Sequence, residues 1–166
     1  MVTASRTPVR PVGSATMTDV APALTETIER TLILVKPDGV RRGLSGEVLR
    51  RVEAKGYTLA AVRLLDATPE LLAAHYAEHE GKPFYQPLVD FMLSGKVLAV
   101  VAEGQGVIPG FRSLAGATNP TEALPGTIRG DLGRDWGLKV QQNLVHGSDS
   151  PESAAREIAL WFPELG

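Results

Sequence analysis

The stretch QNLVHGSDSPESAAREIALWF, residues 142–162, places a strand directly before a helix. Apolar residues precede His146, as at the end of a buried strand, and the Ser-Pro pair at 150–151 favours a helix start. We therefore predict a strand over 142–147 and a helix over 151–162. An ionisable His146 stands between them, where a packed core would favour an aliphatic side chain. This junction is a candidate functional site.

Outward from this junction, the chain alternates between short apolar runs and helical periodicity. The segment 116–139 is rich in Gly, Pro, Thr and Asn, and its weak periodicity predicts a long loop. The resulting order β-α-β-αα-β-α-loop-β-α favours an α+β fold: a ferredoxin-like split βαβ sandwich with a four-stranded antiparallel sheet covered by helices. The other predicted strands are 30–37, 57–65 and 96–103, and the other predicted helices are 43–56, 69–79, 84–93 and 106–115.

The composition is that of a globular protein of one domain. The chain has 166 residues, 43% of them hydrophobic, with a net charge of −2 and no cysteine. We expect a domain over 29–166 after a flexible, polar N-terminal tail over 1–28. No basic field favours a nucleic acid or membrane partner, and no apolar run is long enough for a membrane span. The lack of cysteine leaves the compartment open, and the cytoplasm is the simplest expectation.

Three features make His146 a candidate nucleophile, although a strand-end histidine is more often satisfied by a backbone carbonyl. The helix that begins beside it has free N–H groups and a positive dipole end, which attract phosphate. Glu157 lies at the edge of the apolar face of that helix, where it could orient the imidazole. The third feature is Ser148, which supplies a hydroxyl two residues after His146, near the same strand–helix corner. Taken alone, Glu157 is more typical of a solvated flank, and a simple cap is about as good an explanation of Ser148.

Cationic and hydroxyl side chains elsewhere could bind a phosphate near His146. Lys36 directly follows a buried strand, so its ammonium leaves the sheet at a strand end. Arg112, Thr118, Asn119 and Arg129 lie in or near the predicted loop. Lysine suits phosphate oxygens as a point charge, and arginine binds them through two hydrogen bonds.

Two rival motifs are weaker. His75 and His79 are four residues apart on a predicted helix, a spacing that can hold zinc, but no third ligand is evident. An amphipathic helix with two partly exposed histidines explains the pair better. The glycines of 104–110 lack the spacing of a dinucleotide site, and the chain has no P-loop motif.

Four stretches resemble the nucleoside diphosphate kinase family, and together they span about 29–162. The block N-x-x-H-G-S-D is the most specific of the motifs. The stretches are ERTLILVKPDGVRRGLSGEVLRRVEAKGY, HYAEHEGKPFYQPLVDFMLSGKVLAVVAEG, ATNPTEALPGTIRGD and NLVHGSDSPESAAREIALWF.

The resemblance implies a phosphotransferase that exchanges the γ-phosphate between nucleoside triphosphates, including ATP, and nucleoside diphosphates. It implies a ping-pong route through a phosphohistidine at His146, with Glu157 orienting the ring and Ser148 close by. It also implies a homo-oligomer, hexameric or tetrameric, and Mg²⁺ held mainly by the nucleotide phosphates with no dedicated protein ligand. Phe84 matches the aromatic on which the base stacks, and the matches to phosphate and sugar contacts are Lys36, Tyr76, Arg112, Thr118, Arg129 and Asn143.

Two other classes of function stay open on the sequence. A catalytically silent nucleotide-binding relative would share the fold, but it would be free to lose His146, Glu157 and Lys36. A zinc-binding module would use His75 and His79.

Overall fold

The computed structural model describes residues Thr27–Gly166. The predicted tail over 1–28 therefore lies outside the described residues, apart from Thr27 and Ile28. Ile28 is already the first residue of the first strand, so the strand begins within the segment that was predicted to be tail.

Within residues 27–166, four strands form one sheet in the order β2-β3-β1-β4, with every neighbouring pair antiparallel. β1 lies in the middle of the sheet, and β3 separates it from β2, its successor in the sequence. This arrangement is the split βαβ topology, so the predicted fold class is confirmed. The strands are β1 (Ile28–Val35), β2 (Thr58–Leu65), β3 (Val97–Gln105) and β4 (Val145–Gly147).

Seven α-helices connect or flank these strands in the described part of the chain. Three of them begin with a proline after an extended residue, the geometry in which the missing N–H of proline costs nothing. The helices are α1 (Pro37–Arg41), α2 (Ser45–Ala54), α3 (Pro69–His75), α4 (Tyr85–Leu93), α5 (Val107–Ala115), α6 (Ile128–Leu132) and α7 (Pro151–Trp161).

Three local predictions were wrong. Pro37 was predicted to end a strand over 30–37, but it begins α1. The predicted loop over 116–139 contains α6, whose Thr127 side chain accepts a hydrogen bond from the Gly130 N–H as an N-cap. The predicted helix over 69–79 ends earlier, at His75, and a separate 3₁₀ turn follows it.

Both faces of the sheet are buried, which explains the unbroken apolar run in β1. Ile33 and Val35 point to one face, where α2 and α5 pack against them. Leu32 and Leu34 point to the other face, which α3, α4 and α7 cover. Because successive side chains alternate between faces, a strand buried on both sides needs an apolar residue at every position.

The pairing of β4 with β1 fixes the position of the junction identified in the sequence. His146 pairs with Leu34, and Val145 pairs with Val35, so the histidine lies beside the end of the central strand. The chain then turns directly into α7, which packs on β1. None of the helices formed by the described residues is long and apolar enough to cross a bilayer.

Candidate active site

A cavity of about 380 Å³ opens beside His146, between α3, α5 and the ends of β1 and β4. Polar and cationic side chains dominate its lining, which suits an anion more than an apolar ligand. Eight of the ten predicted site residues line it: Lys36, Tyr76, Arg112, Thr118, Arg129, Asn143, His146 and Glu157.

The other two predicted site residues lie outside this lining. Ser148 is fully buried behind Glu157. Phe84 is 46% exposed at the outer end of the cavity, where its ring meets the ring of His79 at a centroid distance of 5.3 Å. Asn119 is not part of the cavity either, because its side chain is bound to Glu122 and Gln141.

The imidazole of His146 is held by one of its two nitrogens. Its Nε2 lies 3.0 Å from Oε2 of Glu157, while no residue in 27–166 hydrogen-bonds its Nδ1. Gly147 follows because a side chain would not fit there: an added Cβ would lie 2.5 Å from Cδ1 of Phe111. The glycine thus lets β4 pack closely on α5 directly behind the histidine.

Glu157 is buried, with a relative exposure of 5%, so the interpretation as a solvated flank charge was wrong. Ser148 Oγ donates to its Oε2 at 2.6 Å, and that same Oγ accepts the Leu32 N–H at 3.1 Å. Burial by itself raises the pKa of Glu157, but the hydrogen bonds and charge of His146, together with the Ser148 hydroxyl, outweigh it and lower the pKa. The carboxylate therefore stays ionised and fixes the ring.

A strained turn leads the chain into the site. Leu144 has a φ of 71°, which is uncommon for a residue with a side chain, and the Val145 N–H bonds across it to the Asn143 carbonyl at 2.8 Å. Asp38 accepts the Leu144 N–H at 3.1 Å, and the Lys36 N–H donates to the Leu144 carbonyl at 2.8 Å. This turn is why β4 begins at residue 145, later than the predicted strand over 142–147.

Lys36 leaves the end of β1 and points into the cavity. Its Nζ donates to Oδ1 of Asn143 at 2.8 Å, and the amide of Asn143 donates to the Thr118 carbonyl at 2.9 Å. Burial lowers the pKa of Lys36 to about 8, and the nearby charge of Arg129 acts in the same direction. A lysine in this state lies close to the boundary between its charged and neutral forms at neutral to mildly alkaline pH.

The guanidinium of Arg129 binds three carbonyls and so links two segments of backbone, the residue after α5 and the turn that leads into β4. Its Nε, Nη1 and Nη2 donate to the carbonyls of Asn143, Gly116 and Val145, at 3.0, 2.8 and 2.6 Å. Burial lowers its pKa to about 10, and the charge of Arg112 contributes in the same direction. Arg129 therefore holds the cavity walls together while it places a positive charge in them.

Arg112, on α5, differs from Arg129. It is exposed, and its guanidinium forms no hydrogen bond or ion pair with any residue in 27–166. The Thr118 side chain is also exposed, in the segment that follows α5. Tyr76 is buried beside His75, with ring centroids 4.6 Å apart, and burial raises the pKa of its phenol.

Sequence reasoning missed the roles of two residues in this site. Asp38 is buried and holds the strained turn, and its position after Pro37, at the start of a short helix, was the available signal. His75 was considered only as a zinc ligand with His79. It is instead buried beside His146, with ring centroids 4.9 Å apart, and it accepts a hydrogen bond from Trp161.

Among the described residues, His75 and His79 do not belong to the same group of three or more potential metal ligands. One group of three comes together, namely His75, His146 and Glu157, with ligand atoms within 4.8 Å of one another. Mg²⁺ prefers oxygen ligands in octahedral geometry, so a set with two imidazoles does not suit it. Exposed Asp149, which also lines the cavity, is a more suitable ligand type for Mg²⁺.

A carboxylate-bound imidazole, faced by a lysine and two arginines, has the parts that phosphoryl transfer needs: a nucleophile and fixed positive charge. Comparisons with known proteins agree with this class. The family model of nucleoside diphosphate kinase matches residues 29–165.

The alignments with two relatives extend over nearly the whole length of those relatives. The chain is 60% identical over 138 residues to the nucleoside diphosphate kinase of Mycolicibacterium gilvum, covering 82% of this chain and 98% of the relative. It is 57% identical over 141 residues to that of Moorella thermoacetica, covering 84% and 99%. The structure of a nucleoside diphosphate kinase family protein from Babesia bovis superposes with a TM-score of 0.76 at 50% identity, over 82% of this chain and 90% of that one.

The chain therefore belongs to the nucleoside diphosphate kinase family. It is an enzyme of the phosphotransferase class, and the resemblance stated from its motifs is confirmed.

Proposed function

We propose that the protein exchanges the γ-phosphate between nucleoside triphosphates and diphosphates through a phosphohistidine at Nδ1 of His146. The observation that carries the proposal is the contact between Nε2 and Glu157, because it leaves Nδ1 as the nitrogen available to a ligand. A ring that donates its Nε2 proton to a carboxylate has a lone pair on Nδ1. The exchange then needs no other nucleophile from the protein.

In the first half-reaction, Nδ1 attacks the γ-phosphorus of the triphosphate. The N–P bond forms while the bond to the bridging oxygen breaks, and the diphosphate leaves with that electron pair. The phosphorylated ring becomes cationic, and the Glu157 carboxylate stabilises it through the Nε2 proton. In the second half-reaction, a terminal oxygen of another diphosphate attacks the phosphorus, the N–P bond breaks, and the neutral imidazole returns.

The charged and polar lining supports this transfer. Arg112 is the guanidinium whose donors are all available to a phosphate, whereas Lys36 and Arg129 add charge from fixed positions. Positive groups around the moving phosphoryl stabilise charge that spreads over its oxygens in the transition state. In the proposal, the phosphate and sugar are bound by Lys36, Tyr76, Arg112, Thr118, Arg129 and Asn143, with Ser148 supporting Glu157.

Phe84 is proposed as the stacking surface for the base. Its ring is half exposed, and its described ring contacts are with His79 and Lys82. An aromatic face supplies stacking that every base can use, so binding through it does not discriminate among nucleotides. This fits an enzyme that accepts several nucleoside diphosphates.

We propose Mg²⁺ as the divalent ion, held mainly by the nucleotide phosphates. Mg²⁺ keeps several waters and commonly binds one or two carboxylates together with substrate phosphates, and Asp149 is available for that purpose. When bound, the ion would neutralise charge on the phosphates.

We further propose a homo-oligomer, hexameric or tetrameric, in the cytoplasm, where nucleotides are metabolised. β2 is an edge strand, and its Val62 and Leu64 are 48% and 54% exposed. An apolar sheet edge of this kind favours association with another chain. Light scattering after size-exclusion chromatography would measure the mass, and a monomer of 17.7 kDa would contradict this part of the proposal.

The direct test is to mix the protein with γ-labelled ATP and Mg²⁺, then remove the nucleotide. We expect an acid-labile, base-stable label on the protein that passes to an added diphosphate, and no label on His146→Ala. A wild-type protein without label would overturn the proposal. That result would favour the catalytically silent nucleotide-binding relative. Metal analysis that finds one zinc per chain would instead favour the zinc-binding module.

A further inference from the structure

We propose that His75 is a positioning residue: an uncharged imidazole, locked in one tautomer by Trp161, that holds the ring of His146 in place. The proposal rests on the role proposed above for His146. His75 is the last residue of α3, it is 3% exposed, and it lines the cavity beside His146.

The tautomer follows from a contact in the core. Nε1 of Trp161 lies 3.2 Å from Nδ1 of His75, and an indole nitrogen can only donate. Nδ1 of His75 must therefore be the acceptor, so a neutral His75 carries its proton on Nε2. Trp161 is itself 1% exposed in the core, which keeps this contact away from water.

The surroundings of His75 favour the neutral ring. Burial lowers its pKa to about 3, and the charge of a protonated His146 acts in the same direction. Arg156 on α7 and Lys36 after β1 also lower it, whereas Glu157 on α7 raises it. Arg156 lies near enough to donate to the His75 carbonyl at 3.5 Å.

The neutral state matters because three groups share a small space. One ligand atom from each of His75, His146 and Glu157 lies within 4.8 Å of the others. A protonated His75 would compete for the Glu157 carboxylate and would repel a cationic His146. Kept neutral, His75 does not compete with His146 for the charge of Glu157, whose other partners are the Ser148 hydroxyl and Arg156.

The ring of His75 also restricts the orientation of His146. The two rings meet edge to face, with an interplanar angle of 78° and centroids 4.9 Å apart. Trp161 and Tyr76 meet the His75 ring at 89° and 79°, so the ring is itself braced on two sides. Rotation of the His146 ring toward His75 would require this braced ring to move.

The first experiment is NMR of the wild-type protein with ¹⁵N-labelled histidine. The chain has three histidines, so single substitutions at His79 and His146 assign all ring signals. We expect His75 to carry its proton on Nε2 from pH 5 to pH 8 without titrating. A proton on Nδ1, or titration above pH 5, would overturn the proposal.

The second experiment compares single-turnover labelling by γ-labelled ATP in three proteins: wild type, His75→Asn and Phe162→Leu. Asparagine stays neutral and can accept from Trp161, but it lacks the ring. We expect the maximal labelling rate of His75→Asn to be about tenfold lower than that of the wild type. The ATP concentration that gives half the maximal rate should change less than twofold. Phe162→Leu is the matched control, because it loosens the same core without a contact to His75.

The amplitude of labelling gives the number of sites that can be phosphorylated, and the rate is expressed per such site. A variant that is merely misfolded loses amplitude, whereas a variant with a badly positioned His146 loses rate. A His75→Asn rate within twofold of wild type would overturn the proposal. If that variant does not fold, the NMR experiment on the wild type decides alone. Failure of the proposed function differs from either outcome, because wild-type protein would then take up no label.

Discussion

The cavity has two walls that differ in how their side chains are held. The inner wall consists of His146, Glu157, Lys36, Asn143 and Arg129, with Ser148 buried behind Glu157, and each of them has a hydrogen-bond partner in the protein. The outer rim consists of Arg112, Thr118 and Phe84, all exposed.

The two walls differ in the stage at which their side chains become ordered. Folding has already fixed the inner wall, so its groups meet the transition state without reorganisation. The rim must lose side-chain entropy when a nucleotide binds. Substitutions in the inner wall should therefore affect both stability and catalysis, whereas substitutions in the rim should affect catalysis and binding alone.

The largest effect is expected for His146→Ala, which removes the proposed nucleophile. Transfer should fall by about 10⁴-fold or more, as when the nucleophile of a catalytic unit is deleted. Nucleotide binding, measured by calorimetry, should persist because the phosphate contacts remain. A variant with more than a hundredth of wild-type activity would contradict the assignment.

The two arginines provide the sharpest test of the difference between the walls. Arg112→Ala and Arg129→Ala should each slow transfer by about 10²–10³-fold, because each removes a positive group beside the moving phosphoryl. A change under about threefold would remove that residue from the site.

Thermal unfolding then separates the two arginine variants. Arg129→Ala should lose about 3 kcal/mol of unfolding free energy, because three backbone carbonyls lose their donor. Arg112→Ala should change it by less than about 0.5 kcal/mol, as is usual for a surface substitution. Equal losses in the two variants would contradict the division into an inner wall and an outer rim.

A smaller effect is expected for Asp38→Ala, which acts on the turn that carries the inner wall. The Leu144 N–H would lose its acceptor, while Leu144 would keep its uncommon φ of 71°. The free energy of unfolding should therefore fall by about 1–3 kcal/mol. Chemical denaturation measures the loss. Glu122→Ala is a suitable surface control, and a loss no larger than that of the control would show that Asp38 does not support the turn.

The smallest effect is a pH dependence that comes from Lys36. Its pKa is lowered to about 8, so its charge is lost as the pH rises through that value, whereas an ordinary lysine stays charged to about pH 10. The value of kcat/KM should fall about tenfold per pH unit above 8. Lys36→Arg should move this decline to higher pH, and a flat wild-type profile to pH 9.5 would contradict it.

The sequence predicted the regular parts of this fold well because their signals are local. β1 and α7 follow from an apolar run and from a cap, a proline and helical periodicity, and both occur within two residues of the predicted positions. Pro37 was ambiguous, because proline both ends a strand and begins a helix. α6 is only five residues long, too short for periodicity to reveal it.

Most of the cavity lining could be predicted from the sequence, since eight of the ten predicted residues line it, but its geometry could not. The motifs named the lining residues, but nothing local showed that Glu157 is buried or that Arg129 binds three carbonyls. Both facts depend on segments that are distant in the sequence and meet only after folding. The same reason hid His75, whose partner Trp161 lies 86 residues away.

The decisive experiment for the proposed mechanism identifies which ring nitrogen of His146 carries the phosphoryl group. Phosphorus–nitrogen NMR of the protein after labelling with ATP and Mg²⁺ distinguishes phosphorylation at Nδ1 from phosphorylation at Nε2. Because Glu157 occupies Nε2 of His146, we expect phosphate on Nδ1 of His146. Phosphate on Nε2, or on any residue other than His146, would contradict it.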